Sequence, residues 1–442
     1  MKEKVELKHL IPIGFTIFAI FFGAGNLIFP PYLGVITGEH WMEAMAGFLV
    51  GDVIFGGLAL ISTLRELRAP VGIYARIGKK YSIFMGAIFY LFTIALYCFP
   101  RTGATAFEVG ISPLFPEFNN IIWEILFFGL TWALAIRPAK VVDYVGKILT
   151  PALIILIFVL VAKGVINPVG VPRTDSYVDA LFAEGLMQGY NTMDMSAGIM
   201  TGGVVLIAAV GYGYRKEKVI QGLITKATIV GCAVLALVYI GLCFLGACVS
   251  QQYTSAEGIE QTATLVTVVN AVLGTKGQII LGIVAVLACL TTSIGMVTAL
   301  ATFFNRSFPN KLKYNIWVTL FSVVGAGISM VGVSKIISIC LPMINLIIPA
   351  MVTGIFMTLF NNRIKNDWVF KIGSYVAFLM GFLSLFNLDF MNKLPLAGIG
   401  FGWVVPVVVS IIVAIIVTKN APSEGWKFHD GEDIIESVEE IS

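Results

Sequence analysis

The chain carries little charge for its length. Charged residues make up 12% of its 442 residues, about half the share of roughly 25% that is typical of soluble domains. Apolar residues make up 58%, and the formal net charge of +3 is too small to favour a polyanionic partner. This composition excludes a soluble enzyme, a disordered scaffold and a nucleic-acid binder, and it leaves a multi-pass membrane protein whose main partner is the lipid bilayer.

Histidines and paired cysteines are also scarce. The three histidines lie at a terminus or in predicted loops, so a histidine-based metal site inside the membrane is not supported. The six cysteines lie in apolar stretches without a CxxC pair, which favours buried free thiols. An intramembrane enzyme would need a histidine, an aspartate pair or a Ser–Lys pair at depth, and we find none. No GxxxxGK[ST] motif points to ATP. We therefore expect a protein that is not an enzyme.

Long apolar runs dominate the sequence. A helix that crosses the hydrocarbon core needs about 20 mostly apolar residues. The segments that meet this requirement are 12–36, 42–63, 81–110, 119–137, 142–163, 185–212, 224–250, 276–305, 313–332, 335–360, 367–387 and 397–418. They predict an all-α polytopic membrane protein with twelve transmembrane helices. The first run is long enough to span and others follow it, so it is not a cleavable signal.

The distribution of positive charge predicts the orientation of these helices. Most of the 29 Lys and Arg residues fall in alternate connecting segments, on the same side as both termini. Because positive residues stay on the inner side of a membrane, we expect a cell-membrane protein with cytoplasmic N- and C-termini. No soluble domain is expected: residues 1–418 form a single transmembrane domain and 419–442 a short cytoplasmic tail.

The first predicted helix is interrupted at its middle. Gly23, Ala24, Gly25 and Asn26 lie there, and two prolines follow. Glycine is a poor helix former, and asparagine is a polar group at bilayer depth. A small-residue packing face is the alternative interpretation, but glycines two residues apart do not share one helical face. The pattern favours a broken helix.

The sixth predicted helix has the same character. The residues that we expect at its break are Asn191, Thr192, Met193, Asp194 and Ser196. A carboxylate at bilayer depth costs about 2.5–3.5 kcal/mol on insertion scales unless it is paired or hydrated. An aspartate at the outer mouth of the helix is the alternative interpretation.

Two broken helices in corresponding positions indicate a transporter site at a repeat interface. The sixth helix lies five spans after the first and runs in the opposite direction, so a repeat of five helices must be inverted. Half-helices that begin at a break favour a carboxylate, and those that end there favour an ammonium group or a hard cation. An amino acid is the simplest solute that carries both charges.

Three motifs carry a family resemblance. Residues 21–34 (FFGAGNLIFPPYLG) resemble the signature of the bacterial branched-chain amino acid:cation symporter family, and residues 100–108 (PRTGATAFE) and 189–194 (GYNTMD) resemble two further family motifs. The resemblance extends along the chain. It implies symport of leucine, isoleucine and valine by alternating access, driven by Na⁺, or by H⁺ in some relatives. A channel or facilitator for another small solute is the alternative, because broken helices also permit a pore.

The same resemblance implies an architecture. It predicts a five-plus-five inverted repeat of the LeuT type, with discontinuous helices 1 and 6. The first repeat spans about 12–163 and the second about 185–360, and two extra C-terminal helices occupy about 367–418.

The resemblance also implies a cation site between the first and eighth helices. Backbone carbonyls of Ala19 and Phe22 would face the hydroxyls of Thr292 and Ser293, and oxygen ligands of this kind suit a hard cation such as Na⁺. The alternative is that these hydroxyls bond to the preceding turn of their own helix.

Two residues of the third helix complete the expected site. A lone intramembrane arginine faces a cavity or a partner, so we expect Arg101 to act as a gate near the outer vestibule rather than to pair with Glu108. Tyr97 is expected to line the apolar substrate pocket. Asp52 and Glu124 also fall inside predicted helices, and no role is assigned to either.

Overall fold

The computed structural model describes residues 5–64, 72–136, 141–308, 311–361, 363–364, 366–386 and 388–419. The regular secondary structure of these residues is helical throughout. The helices are α1 (Leu7–Phe21), α2 (Ala24–Thr37), α3 (Trp41–Leu49), α4 (Phe55–Thr63), α5 (Lys79–Phe89), α6 (Phe99–Thr105), α7 (Asn120–Ile136), α8 (Val141–Ile166), α9 (Leu181–Thr192), α10 (Asp194–Gly211), α11 (Glu217–Val249), α12 (Gln261–Ser307), α13 (Tyr314–Ser329), α14 (Val333–Leu359), α15 (Asp367–Ser384), α16 (Asp389–Asn392) and α17 (Val404–Val417). Apart from Lys419, the predicted tail lies outside the described residues.

Two pairs of consecutive helices are each joined into one continuous helix. A π-helical turn at Val50–Ile54 joins α3 to α4, and another at Tyr90–Cys98 joins α5 to α6. A π turn widens the helix locally and is frequent at functional sites. These turns carry Asp52 and Tyr97, so both side chains project from irregular points in otherwise regular helices.

Six described segments are long and apolar enough to cross a membrane. They are Ala24–Thr63, Lys79–Ile111, Leu181–Gly211, Glu217–Gln252, Gln261–Ser307 and Val333–Leu359. Shorter apolar helices occupy much of the remaining predicted spans. The all-α membrane architecture is therefore confirmed, whereas the number of twelve crossings stays a prediction.

The largest difference from the predicted helices lies in α12. This helix begins at Gln261, well before the predicted start at residue 276, and its backbone is not helical at Gly274 (φ 66°, ψ −169°). The segment before Gly274 is too short to span a membrane by itself. A search for long apolar runs therefore does not find it.

The two broken helices pack in a reciprocal manner. The first, α1 and α2, lies along α11; the second, α9 and α10, lies along α3 and α4. The first broken helix thus packs on the helix that follows the second broken helix in the chain, and the second packs on the helices that follow the first. An inverted repeat requires this exchange. Glycine permits the close approach in both places: a Cβ at Gly34 would collide with the carbonyl of Cys243, and one at Gly185 with the carbonyl of Ala44.

Candidate substrate and cation site

The first break is short and is closed by an asparagine. Helix α1 ends at Phe21, Phe22 and Gly23 have non-helical backbone angles, and α2 begins at Ala24. The side-chain Oδ1 of Asn26 accepts the N–H of Gly23 at 3.1 Å. The predicted interruption is confirmed. Gly25 and Asn26 were expected in the break but belong to the first turn of α2, which this hydrogen bond closes.

The second break turns at a single residue. Met193 has left-handed backbone angles (φ 73°, ψ 23°) between α9 and α10. This conformation is unfavourable for a residue with a side chain, so the surrounding contacts must hold it. The glycines nearby serve packing instead, because a Cβ at Gly189 would lie 2.6 Å from the carbonyl oxygen of Phe48 and one at Gly198 would lie 2.6 Å from that of Gly56.

A buried polar cluster joins the two breaks. The Nδ2 of Asn26, in the first turn of α2, donates to Oδ2 of Asp194, the first residue of α10, at 2.9 Å and also to the hydroxyl of Tyr239 on α11. The hydroxyl of Thr192, the last residue of α9, is hydrogen-bonded to Oδ1 of Asp52. We call these five residues the carboxyl cluster. Each of them is at most 5% exposed, so the cluster is shielded from both lipid and water.

Arg101 lies at the carbonyl end of α9. Its Nη1 donates to the backbone oxygen of Asn191 and to the hydroxyl of Tyr97, both at 2.7 Å, and its Nη2 reaches the carbonyl of Thr192 at 3.3 Å. The negative end of a helix dipole favours a cation at this position. A Cβ at Gly25 would lie 2.7 Å from Nη2, so glycine leaves the room that the guanidinium occupies.

The role of Arg101 as a gate near the outer vestibule stays a prediction. Arg101 is 4% exposed, and the hydrogen bonds described above tie it to the second break. Glu108 is engaged elsewhere: its carboxylate accepts from the Thr262 hydroxyl at 2.6 Å and from the N–H of Val333 at 2.9 Å. The expectation that Arg101 does not pair with Glu108 agrees with these contacts.

The structure brings the predicted substrate-binding residues together. Those of the first break face those of the second through the Asn26–Asp194 hydrogen bond, and Tyr97 donates to the carbonyl of Asn191 at 3.1 Å. The Ser196 hydroxyl lies 3.8 Å from the sulfur of Met193. The N–H groups in the first turns of α2 and α10 have no partner within their own helices, which makes both helix starts suitable for a carboxylate.

Among the predicted cation ligands, Ser293 has a defined hydrogen-bond partner. The buried hydroxyl of Ser293 accepts from Thr131 on α7 at 3.2 Å, so it faces α7. Among the described residues, no hydrogen bond links Ser293 or Thr292 to Ala19 or Phe22. The four oxygen donors suit Na⁺ chemically, and their joint role as cation ligands stays a prediction. Thr291, one residue earlier, does bond to its own helix, at the Ala288 carbonyl (2.9 Å).

A cavity of about 200 Å³ lies one turn from the second break. Met187 and Tyr190 of α9 line one wall, and residues of α14, α15 and the segment before α17 line the rest. The lining is mostly apolar, and the buried hydroxyl of Tyr190 has no hydrogen-bond partner among the described residues. The cavity therefore reaches α9 three residues before the turn at Met193.

No role was assigned from the sequence to two members of the carboxyl cluster. Asp52 was noted as intramembrane but given no role, and Tyr239 was not considered. An aspartate pair at depth was not found because its members are 142 residues apart in the chain. The one available signal was the cost of an unpaired carboxylate inside a membrane.

Two interrupted helices that meet around buried polar groups, each packed on the opposite repeat, define a fold of the LeuT type. Solved structures agree. The inward-facing conformation of Mhp1 superposes with a TM-score of 0.59 at 13% identity, covering 92% of this chain and 91% of that one. MhsT in complex with L-phenylalanine gives a TM-score of 0.56 at 14% identity, covering 95% and 99%.

The chain belongs to the branched-chain amino acid transport protein family, whose model matches residues 6–421. The branched-chain amino acid permease BraB of Bacillus subtilis is 33% identical and covers 95% of this chain and 97% of its own length. The permease BrnQ of Corynebacterium glutamicum is 33% identical over 93% and 96%. The branched-chain amino acid transport system 2 carrier protein of Pseudomonas aeruginosa is 30% identical over 92% and 95%. Family and relatives are transporters, so the chain is not an enzyme.

Proposed function

We propose that this chain is a symporter that imports leucine, isoleucine and valine by alternating access, driven by Na⁺, with H⁺ as the alternative coupling ion. The observation that carries the proposal is the meeting of the two helix breaks through Asn26 and Asp194 in a chain of this family. A zwitterion needs partners for both of its charges, and two facing breaks supply helix starts and helix ends at one place.

The position of Arg101 narrows how the substrate would bind. The guanidinium already occupies the carbonyl end of α9. The ammonium group of the substrate would therefore bind at the carbonyl end of α1. The carboxylate would accept from N–H groups in the first turns of α2 and α10 that have no partner within their own helices. The aliphatic side chain would then face the buried apolar residues beside the breaks, which are Phe21, Phe22, Tyr97, Met193 and Met195.

For the coupling ion we retain the four predicted ligands. Thr292, Ser293 and the carbonyls of Ala19 and Phe22 would hold Na⁺, which would supply a positive charge next to the substrate site. Hard oxygen donors support this choice. The orientation that goes with import, both termini in the cytoplasm of a cell-membrane protein, rests on the distribution of Lys and Arg.

Uptake into proteoliposomes tests the proposed function. Purified protein is reconstituted, and labelled leucine is offered under an imposed Na⁺ gradient, an imposed H⁺ gradient or neither. We expect saturable accumulation that requires one of the gradients, at a fixed ratio of cation to leucine. A channel or facilitator would only equilibrate leucine, and that outcome, or no leucine flux, would refute the proposal.

A further inference from the structure

The carboxyl cluster contains two buried carboxyl groups close to each other. The Thr192 hydroxyl contacts Oδ1 of Asp52, on the π turn between α3 and α4, and lies 3.5 Å from the backbone nitrogen of Asp194 at the start of α10; the two carboxyl groups interact electrostatically. Their side chains are 0% and 3% exposed. Two carboxylates this close cannot both be ionised without strong repulsion, and a hydrogen bond between them requires a proton.

A second feature of the cluster is a shortage of hydrogen-bond donors at Asp52. The Thr192 hydroxyl is in contact with two acceptors, the carbonyl oxygen of Gly189 at 2.6 Å and Oδ1 of Asp52. A hydroxyl has one proton to donate, so it can satisfy only one of them. The other oxygen of Asp52, Oδ2, is buried and receives no hydrogen bond from a described donor. An ionised Asp52 would therefore have to compete with Gly189 for the single proton of Thr192, which favours a proton on the carboxyl pair.

The surrounding charges point the same way. Arg101 on α6 is the neighbouring cation, and it gives the hydrogen bonds described above to the end of α9 rather than to either carboxylate. The other titratable groups near the pair are neutral at physiological pH: the Tyr239 hydroxyl and the Cys232 thiol on α11, and the Cys98 thiol beside α6. One positive charge thus faces two potential negative charges in a buried site, where an unbalanced charge is costly.

We propose that Asp52 and Asp194 form a proton-binding site in which the two carboxyl groups share one proton and the remaining negative charge is balanced by Arg101. The shared proton joins the helix that carries Asp52 to the start of α10, and the Asn26 hydrogen bond extends this connection to α2. Loss of the proton would leave two like charges where the broken helices meet. Proton release should therefore favour their separation, and this consequence for transport rests on the proposed function.

Infrared difference spectroscopy tests the proton directly, without any transport assay. Purified protein at neutral pH is compared with Asp52→Asn, Asp194→Asn and the double variant, and the signal is the C=O stretch of a protonated carboxyl group. In either single variant the remaining carboxyl group has no second carboxylate beside it and should stay ionised. Each single variant should therefore lose as much of the signal as the double variant does.

The other outcomes overturn the proposal. If each single variant loses about half of what the double variant loses, the two carboxyl groups carry separate protons. If no variant loses signal, the pair holds no proton. Glu124→Gln serves as the matched control, because Glu124 is another fully buried carboxyl group but lies on α7 beside Gly103; its substitution should leave the Asp52–Asp194 component unchanged.

A measurement on the wild-type chain covers the case in which a variant does not fold. Protein produced with aspartate labelled with ¹³C at the side-chain carboxyl should show a shifted C=O band, whereas label in the glutamate carboxyl should not shift that component. Absence of any shift with labelled aspartate would remove the proposed site.

A transport measurement then separates this proposal from the proposed function. Leucine uptake by the wild-type chain should depend on pH, and Asp52→Asn, which mimics the protonated form, should lose that dependence while it still binds leucine. If the wild-type chain does not transport leucine but the spectroscopic result holds, the proposed function fails and the proton site stands. If uptake by Asp52→Asn keeps the wild-type pH dependence, the role of the site in transport is refuted.

Discussion

Gly25 and Arg101 depend on each other. The guanidinium reaches the end of α9 only because residue 25 has no side chain. Gly25 also lies in the first turn of α2, whose N–H groups are expected to hold a substrate carboxylate. Gly25→Leu should fold and reach the membrane, but its side chain would fill this space. We expect leucine to bind at least about tenfold more weakly, equivalent to about 1.4 kcal/mol.

Equilibrium binding of labelled leucine to purified protein measures this effect. Gly295→Leu is the matched control, because a Cβ at that position meets no atom within 4 Å; its leucine affinity should equal that of the wild type. Normal affinity in Gly25→Leu would show that the first turn of α2 does not contact the substrate.

The predicted cation ligands allow a second test on single residues. Ser293→Ala should raise the Na⁺ concentration for half-maximal leucine uptake, because it removes one oxygen ligand. A loss of about 1 kcal/mol corresponds to a rise of about fivefold. Thr292→Ala should act in the same direction.

Thr291→Ala provides the control for this series. Its hydroxyl bonds to the Ala288 carbonyl of the preceding turn, so we expect its Na⁺ dependence to be that of the wild type. An unchanged Na⁺ dependence in both Thr292→Ala and Ser293→Ala would eliminate the predicted site, and the contact of Ser293 with Thr131 would then be purely structural.

Among the helices, the end of α9 depends on contacts from another helix. Three hydrogen bonds from one guanidinium satisfy two carbonyls and a hydroxyl there. Lysine presents a point charge and cannot reproduce this planar arrangement. Arg101→Lys should therefore lower the thermal stability of the purified protein, since hydrogen bonds from a charged group contribute about 1.5–3 kcal/mol each.

Tyr97→Phe calibrates this prediction. It removes one hydroxyl, which donates to Asn191 and accepts from Arg101, and leaves the guanidinium in place. In detergent, Tyr97→Phe should lower the melting temperature, relative to the wild type, clearly less than Arg101→Lys does. Equal losses in the two variants, or a wild-type melting temperature for Arg101→Lys, would show that α9 does not need this cation.

The elements differ in how far they could be predicted from the sequence. Both breaks could be predicted because a polar residue inside an apolar run is a local signal, visible without knowledge of the packing. The position of the turn at Met193 could not, because the nearby glycines are used for close packing with α3 and α4. The contact between Asp52 and Asp194 depends on how the second helix packs against the sixth, which no local pattern encodes.

For the whole molecule, the remaining question is what makes a transporter of this kind selective. The backbone groups at the two breaks can recognise only the carboxylate and ammonium groups, which all amino acids share. Selectivity must therefore come from the apolar side chains beside the breaks. One methylene group in such a pocket changes binding by about 1–3 kcal/mol, or roughly 10–200-fold, and methionine repacks easily, so leucine, isoleucine and valine should differ toward the lower end of this range.

Polar amino acids should be rejected more strongly than valine. Their side chains would lose water on entering a pocket lined by Phe21, Phe22, Tyr97, Met193 and Met195. The one hydroxyl of this set, on Tyr97, is already bonded to Asn191 and Arg101 and would not replace that water. Competition against labelled leucine measures this: unlabelled isoleucine and valine should compete at concentrations within about tenfold of that of leucine, and serine and glutamine only at much higher ones. If glutamine competes as well as isoleucine, the pocket is not apolar and the proposed substrate class is wrong.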